Sequence, residues 1–226
     1  MIRIAGLGPA GIENISISAL LMLESSERLF LRTGRHPAAR DLEVRGIRFE
    51  TFDRIYEESE DFEDVYRTIS EAIIKEARKG DVTYAVPGHP LIGERSVGLI
   101  LEIARKEGIP VTFAGSESFV EVCLEALAEP IGRGLKIIDA LAIATVPPSP
   151  DCPNLIYQVY DRIIASEVKL ALMKVYPDEF EVCIIAMAGK DEMKVEKLPL
   201  YEMDHRDYDH LTSVYVPMST NLKADF

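Results

Sequence analysis

The residues best suited to chemistry begin where the first apolar run ends. Gly6-Leu7-Gly8-Pro9-Ala10-Gly11, the first loop, follows Ile2-Arg3-Ile4-Ala5 and matches the pattern G-x-G-x-x-G. Glycines allow a tight turn and leave backbone N–H groups open to a ligand. A dinucleotide site also needs an acidic residue about 20 positions on, where this chain has Arg32-Thr33. A nicotinamide site and a structural strand-to-helix turn both remain alternatives for this loop.

Two further loops also follow predicted strands. Pro87-Gly88-His89-Pro90, the second loop, comes after a buried run, and Gly115-Ser116-Glu117-Ser118-Phe119, the third loop, comes after another. Ligands of open α/β sheets bind outside the carboxyl ends of the strands. The three loops together therefore predict one shared ligand. Taken singly, the prolines could rigidify an ordinary turn and the serines could cap a helix.

Cationic side chains accompany these loops. Arg32 and His36 follow the second predicted strand, and Arg162, Ser166 and Lys169 form a polar stripe at helical spacing. Such groups suit an acidic substrate. A solvated helix face is the other interpretation of the stripe.

Strand-like runs alternate with helical patterns in the first half of the chain, which is typical of a mainly parallel sheet. Apolar positions spaced as in a helix predict one from Phe62 that ends before Gly80, and Asn14 is a candidate cap for a helix over residues 15–23. Strands are predicted at residues 2–6, 28–31, 47–52, 82–86 and 111–114, and further helices at 94–106 and 119–128.

The pattern changes after residue 128. A loop rich in proline interrupts the fold over residues 147–153, and a strand and a helix follow at 155–159 and 162–174. Three strands without intervening helices, at residues 181–187, 194–200 and 212–216, suggest antiparallel pairing. We therefore predict an α/β protein with two domains: residues 1–114 with a mainly parallel sheet and residues 115–226 with a mixed sheet.

Composition limits the function classes. The 226 residues carry 25 Lys and Arg against 38 Asp and Glu, a formal net charge of −13, so nucleic acid is not an expected partner. Cys123, Cys152 and Cys183 lack the spacing of a zinc site or redox pair, and no metal is expected. No apolar run approaches the roughly 20 residues that cross a bilayer. We expect a cytoplasmic protein with no membrane partner.

The order of motifs resembles the tetrapyrrole (corrin and porphyrin) methylase family. Gly6-Leu7-Gly8-Pro9, Gly88-His89-Pro90 and Ser118-Phe119 are similar to its three N-terminal motifs. One branch is closer still: the methylase-like domain that precedes a MazG-type nucleotide pyrophosphohydrolase. The resemblance to that branch covers essentially the whole chain and is carried by Leu31-Arg32-Thr33, Val86-Pro87-Gly88-His89-Pro90-Leu91, Gln158-Val159-Tyr160-Asp161-Arg162, Val175-Tyr176-Pro177 and His210-Leu211-Thr212-Ser213.

The resemblance implies the class III methyltransferase architecture, two α/β domains with S-adenosylmethionine in a cleft between them, and S-adenosylhomocysteine as the product. It also implies a homodimer, a small-molecule substrate of tetrapyrrole-like chemistry and an associated MazG-type pyrophosphohydrolase domain. The implied cofactor contacts are Pro9, Gly88, His89, Ile92, Ser118 and Phe119, with Val159, Ala188 and Thr212 on the adenine side. Candidate substrate contacts are Gly8, Arg32, His36 and Arg162; no catalytic residue is assigned.

Two departures from the family pattern bear on activity more than on fold. Many of the methylases carry Asp where this chain has His89, and the first loop reads Gly-Pro-Ala rather than Gly-Pro-Gly. The leading hypothesis is a methyltransferase of unknown acceptor. The alternative is a non-catalytic, cofactor-binding module that regulates a pyrophosphohydrolase. Residues 221–226 resemble the start of a linker.

Overall fold

A computed structural model describes residues 1–59, 61–190 and 192–219, which puts the linker-like residues 221–226 outside the described part. The chain divides into two compact units, Met1–Phe119 and Val120–Phe226. Its helices and strands, in chain order, are β1 Ile2–Gly6, α1 Ile17–Glu24, β2 Leu29–Leu31, α2 Pro37–Val44, β3 Glu50–Thr51, α3 Asp53–Glu58, α4 Phe62–Ala77, β4 Val82–Val86, α5 Arg95–Glu107, β5 Val111–Ala114, α6 Phe119–Leu127, β6 Lys136–Asp139, β7 Asn154–Tyr157, α7 Arg162–Leu172, β8 Glu181–Ala186, β9 Lys194–Pro199 and β10 Ser213–Val216.

The first unit is built on a parallel sheet with the strand order β3-β2-β4-β1-β5. β1 and β4, at its centre, carry apolar side chains toward both faces because both faces are covered. Ile4 and Tyr84 pack on the side of α4 and α5, whereas Ala5 and Ala85 pack on the side of α1 and α2. The carboxyl ends of β1, β4 and β5 therefore meet at one edge of the sheet.

The second unit has a mixed sheet with the order β6-β7-β10-β8-β9. β6 and β7 are parallel, and the remaining pairs are antiparallel. One face packs against α7, whose Ile164, Val168 and Leu172 are buried. The predicted fold class, α/β with one mainly parallel and one mixed sheet, is confirmed.

Two of the three cysteines of the second unit, Cys123 and Cys183, are buried packing residues, whereas Cys152 is partly exposed. Burial raises the pKa of the Cys123 thiol to about 12, and it also raises that of Cys183. Thiols with raised pKa values are poor nucleophiles near neutral pH. Within the described residues, no helix has the length and apolar character needed to cross a membrane.

The proline-rich loop is anchored by one buried amide. The side chain of Asn154, at the start of β7, accepts a hydrogen bond from the Ser149 N–H at 2.9 Å and donates to the carbonyls of Ser149 and Cys152 at 2.7 and 3.1 Å. The Tyr176 hydroxyl lies 3.1 Å from the same amide nitrogen and donates to the Ser149 carbonyl. These bonds hold the loop against the mixed sheet of its own unit.

We predict that Asn154→Leu lowers the free energy of unfolding by about 1–3 kcal/mol, because it leaves buried polar groups of the loop without partners. Tyr176→Phe should cost less, since it removes only one hydroxyl. Urea unfolding followed by circular dichroism measures both. Equal stability of Asn154→Leu and wild type would contradict this role.

Candidate functional site

The first and second loops are joined by a pair of backbone hydrogen bonds. The Gly8 N–H donates to the Gly88 carbonyl at 3.2 Å, and the Gly88 N–H donates to the Gly8 carbonyl at 2.7 Å. Gly8 has φ +73° and Gly88 has φ +63°, a backbone region that other residues enter only with strain. Two loops 80 residues apart in sequence thus form one structural feature at the carboxyl edge of the parallel sheet.

Gly6 lets the second and third loops approach the end of β1. A Cβ on Gly6 would overlap the Gly88 carbonyl oxygen and lie 2.9 Å from the Ser116 nitrogen. The Ser116 hydroxyl donates to the Gly6 carbonyl at 2.7 Å and accepts a bond from the Ser16 N–H at 3.0 Å. The absence of a side chain at Gly6 therefore allows all three loops to meet.

Ser16, rather than Asn14, caps the first helix. Its hydroxyl accepts from the Ala19 N–H at 3.1 Å and donates to the Gly115 carbonyl at 2.6 Å. The predicted Asn14 cap is wrong because a 3-10 turn at Ile12–Asn14 delays the start of α1 to Ile17. The Asn14 amide instead donates to the Glu117 carboxylate in the third loop at 2.6 Å.

The His89 side chain, in the second loop, lies against Gly115 of the third loop. Its Nδ1 accepts from the Leu91 N–H at 3.2 Å, and its ring lies so close to Gly115 that a Cβ there would overlap it. His89 therefore supports the backbone of the third loop from the position where many of the methylases carry Asp.

The space beside Gly88 is open. Among the described residues, a Cβ built on Gly88 would meet only the Cα of Ser118 within 4 Å, at 4.0 Å. Ser118 is buried, whereas Pro9, Ile92 and Phe119 are partly exposed. A side chain at position 88 would therefore enter space that no described group of the first unit occupies.

The structure gives Arg32 an internal partner. One terminal guanidinium nitrogen lies 2.8 and 2.9 Å from the two carboxylate oxygens of Glu94, the residue before α5. Burial alone would lower the pKa of Arg32, but the Glu94 carboxylate holds it above its ordinary value. Burial also raises the pKa of the neighbouring Tyr56 hydroxyl to about 12. Arg32 therefore remains charged, and its charge is balanced within the protein.

The other predicted cations are also engaged. His36 is buried, and its Nε2 lies 3.0 Å from the Gly8 carbonyl oxygen. Arg162 donates to the Arg206 carbonyl and to Asp207, at 3.1 and 2.7 Å. Ser166 and Lys169 both contact Asp204. The polar stripe of α7 thus packs against a neighbouring segment of its own unit.

The three residues predicted in the second unit lie at one edge of the mixed sheet. β10 is antiparallel to β7 and β8, so Thr212, before β10, lies at the same edge as Val159 and Ala188, which follow β7 and β8. The Val159 N–H donates to the Thr212 carbonyl at 3.3 Å. All three are buried.

The same edge carries unusual backbone. Gln158 and Met187 have φ +61° and +58° although neither is glycine. Strained residues of this kind cluster at functional sites when the surrounding structure holds them. Gln158 and Met187 therefore place strained backbone at this edge of the mixed sheet.

Sequence reasoning missed three supporting residues. Glu94 pairs with Arg32, Asp53 accepts bonds from the Thr33 hydroxyl and the Gly34 N–H at 2.5 and 2.8 Å, and Ser16 joins α1 to the third loop. Of these three residues, only Ser16 could have been predicted from the sequence, because Ser is a preferred residue at the N-terminal cap of a helix. In the part of the chain that the structure describes, no group of three or more His, Cys, Asp or Glu side chains could hold a metal ion.

Comparison with known sequences identifies relatives over nearly the whole chain. A family model described as Tetrapyrrole (Corrin/Porphyrin) Methylases matches residues 1–204. A protein of Bacillus subtilis (strain 168), named uncharacterized protein YabN, is 38% identical over 220 residues. The match covers 96% of this chain and 44% of that protein. The chain therefore spans less than half the length of this curated relative.

Three solved structures share the fold. Uroporphyrin-III-C-methyltransferase from Thermus thermophilus has a TM-score of 0.73 at 18% identity, covering 96% of this chain and 91% of its own. A diphthine synthase has a TM-score of 0.69 at 15% identity, covering 97% and 90%. A cobalt precorrin-4 methyltransferase has a TM-score of 0.70 at 12% identity, covering 96% and 94%. At these identities the likeness establishes the architecture alone.

We predict that Gly6→Ala lowers the free energy of unfolding by about 1–3 kcal/mol, because the new methyl group overlaps backbone that cannot rotate away. Gly98→Ala is the matched control. Among the described residues, its Cβ would meet nothing within 4 Å apart from the backbone of its own helix, and in a helix interior it should stabilise by about 0.5–1 kcal/mol. Chemical unfolding of both variants tests this, and equal effects would contradict the close approach of the loops.

Proposed function

The chain belongs to the tetrapyrrole (corrin/porphyrin) methylase family, and on this basis we propose that it is an S-adenosylmethionine-dependent methyltransferase with a small-molecule acceptor. The observation that carries the proposal is the junction of three loops at the carboxyl edge of the parallel sheet, with open space beside Gly88. Open α/β sheets bind their ligands at this edge. The family membership supports S-adenosylmethionine as the ligand, a choice that the junction alone leaves open.

Methyl transfer from this cofactor requires mainly that the protein position the reacting groups correctly. Bound S-adenosylmethionine supplies a methyl group that its sulfonium already activates for transfer, and correct alignment of reacting groups is worth about 7–11 kcal/mol at best. We assign Pro9, Gly88, His89, Ile92, Ser118 and Phe119 to the loop side of the cofactor. Val159, Ala188 and Thr212 are assigned to its adenine side, where the strained Gln158 and Met187 support a site.

The residues proposed to contact the methyl acceptor have less structural support than those proposed to contact the cofactor. Of Gly8, Arg32, His36 and Arg162, only Arg162 has a side chain that is mostly exposed, at 65%. Arg32 is neutralised by Glu94, so the first unit offers little uncompensated positive charge at this position. An acceptor with acidic groups would have to bind through cations other than Arg32.

A regulatory module is the second candidate function. The observation that favours it is the length of the Bacillus subtilis relative, of which this chain matches only 44%. A chain that corresponds to part of a longer protein could bind the cofactor and regulate a partner domain, such as a MazG-type pyrophosphohydrolase. The two candidates differ in turnover: only the enzyme converts the cofactor to S-adenosylhomocysteine.

We predict that S-adenosylhomocysteine binds the chain and, at about 100 times its dissociation constant, raises the melting temperature by roughly 5–10 °C. Gly88→Ala should weaken this binding, because the added methyl group enters the open space beside the loops. Gly108→Ala is the matched control, since Gly108 has nearly the same φ, +66°, but caps α5. Both variants should lose about 1–2 kcal/mol of stability through backbone strain.

Calorimetry measures the affinity of each variant for S-adenosylhomocysteine. Equal loss of affinity in Gly88→Ala and Gly108→Ala would contradict a ligand site at the second loop. Absence of binding to the unmodified chain at millimolar concentration would refute the cofactor assignment. A methyl-transfer screen with labelled cofactor and cell extract then separates the enzyme from the regulatory module.

The homodimer implied by the family remains part of the proposal, and an exposed apolar surface in the second unit supports it. Ile131, Ile137, Leu141 and Val146 are between 37% and 59% exposed. They lie on or near β6, which in the described structure pairs with a strand on one side only. Edge strands flanked by apolar side chains are usually covered in soluble proteins.

We predict that light scattering at micromolar concentration gives roughly twice the chain mass of 25.2 kDa. Leu141→Lys should shift the population toward monomer, because a charge would be buried in the interface. Ile163→Lys is the control, since Ile163 is 72% exposed on α7. A mass near that of one chain for the unmodified protein, unchanged on concentration, would refute the dimer.

A further inference from the structure

The segment between β2 and α2, residues 32–36, lies beside the joined loops and is itself firmly held. Arg32 pairs with Glu94, and the Asp53 carboxylate accepts bonds from Thr33 and Gly34. Burial alone would raise the pKa of Asp53, but these two bonds hold it below its ordinary value. The backbone that precedes His36 is therefore held in place by the contacts of Arg32, Thr33 and Gly34.

The His36 ring makes two different hydrogen bonds. Nδ1 lies 3.3 Å from the Ala38 N–H, which can only donate, so Nδ1 is the acceptor that caps α2. The ring proton is consequently on Nε2. Nε2 donates to the Gly8 carbonyl at 3.0 Å.

The Gly8 carbonyl is the oxygen that receives the Gly88 N–H at 2.7 Å. One oxygen thus accepts two bonds, one from the second loop and one from His36. Removing the imidazole donor would take away one of the two bonds that orient the Gly8 carbonyl, in a peptide whose glycine has φ +73°. The bridge between the two loops would then lose the side-chain hydrogen bond that His36 supplies at Gly8.

We propose that His36 is a positioning residue that holds the Gly8–Gly88 bridge in the geometry the ligand requires, without contacting the ligand. The expected effect on ligand affinity rests on the proposed function. The expected effect on the Gly8–Gly88 bridge does not. This positioning role differs from the expectation that His36 contacts the substrate directly.

Two conservative variants separate the roles of the two ring nitrogens. In His36→Asn, the amide oxygen lies near the position of Nδ1 and can still cap α2, but no donor reaches Gly8. In His36→Gln, the amide nitrogen lies near the position of Nε2 and can still donate to Gly8, whereas the cap is lost. His205→Asn is the control, since His205 is 71% exposed.

We expect His36→Asn to melt slightly below the unmodified chain, because it loses a buried hydrogen bond and part of a buried ring, and to bind S-adenosylhomocysteine about tenfold more weakly, the equivalent of one lost hydrogen bond. His36→Gln should melt at a lower temperature and keep its affinity. Weak binding by the Gln variant together with normal binding by the Asn variant would overturn the proposal, because affinity would then follow the helix cap.

Hydrogen exchange of the Gly88 amide tests the same idea without ligand. Exchange should be about tenfold faster in His36→Asn and unchanged in His36→Gln and His205→Asn. An unchanged rate in His36→Asn would overturn the proposal. If the unmodified chain bound no S-adenosylhomocysteine, the proposed function would fail, while the exchange rates would still decide the role of His36.

Discussion

The candidate site depends on how closely three backbone segments approach one another at the end of β1. Gly6 has no side chain where the Gly88 carbonyl and the Ser116 amide lie against it, and Gly8 and Gly88 exchange two hydrogen bonds beyond it. A Cβ at Gly6 would separate the loops. The remaining contacts, from Ser16, Ser116 and His36, stabilise an approach that the glycines make sterically possible.

Charge is balanced locally around this junction. Arg32 is paired with Glu94 and Arg35 with Glu57. The His36 Nε2–H donates to the Gly8 carbonyl. A buried ion pair adds little net stability because desolvation offsets much of the attraction. Its effect here is geometric, because Glu94 precedes α5 and Arg32 follows β2, so the pair joins the start of that helix to the end of that strand.

Residues at positive φ follow strands in both units, and in the second unit they include Gly189 at φ +84°. In the first unit, glycines at positive φ supply the turns at no steric cost. In the second unit, Gln158 and Met187 adopt the same backbone region without being glycine, so surrounding contacts must offset the strain. Both sets of residues follow strands whose carboxyl ends lie at the proposed ligand side of their own sheet.

Local patterns in the sequence determined much of this architecture. α4 lies where its helical apolar periodicity predicts it, and β1, β4 and β5 lie where short apolar runs bounded by turn residues predict them. The order of the three loop motifs was also sufficient to identify the family. Short elements were less predictable: β3 covers only Glu50–Thr51 of the predicted residues 47–52, and α2 and β6 were not predicted. The short helix α3 was not predicted either, and α3, β3 and β6 have too few residues to show a period.

Only the tertiary structure decided which side chains serve the loops. Arg32 and His36 are equally cationic candidates in the sequence, yet one faces Glu94, 62 residues away, and the other faces Gly8, 28 residues away. The same holds for Ser116, whose partners Gly6 and Ser16 are about 100 residues distant. A sequence pattern records the local conformation that a residue prefers. The hydrogen-bond partner of a side chain is set by the packing of the whole sheet, which no local pattern contains.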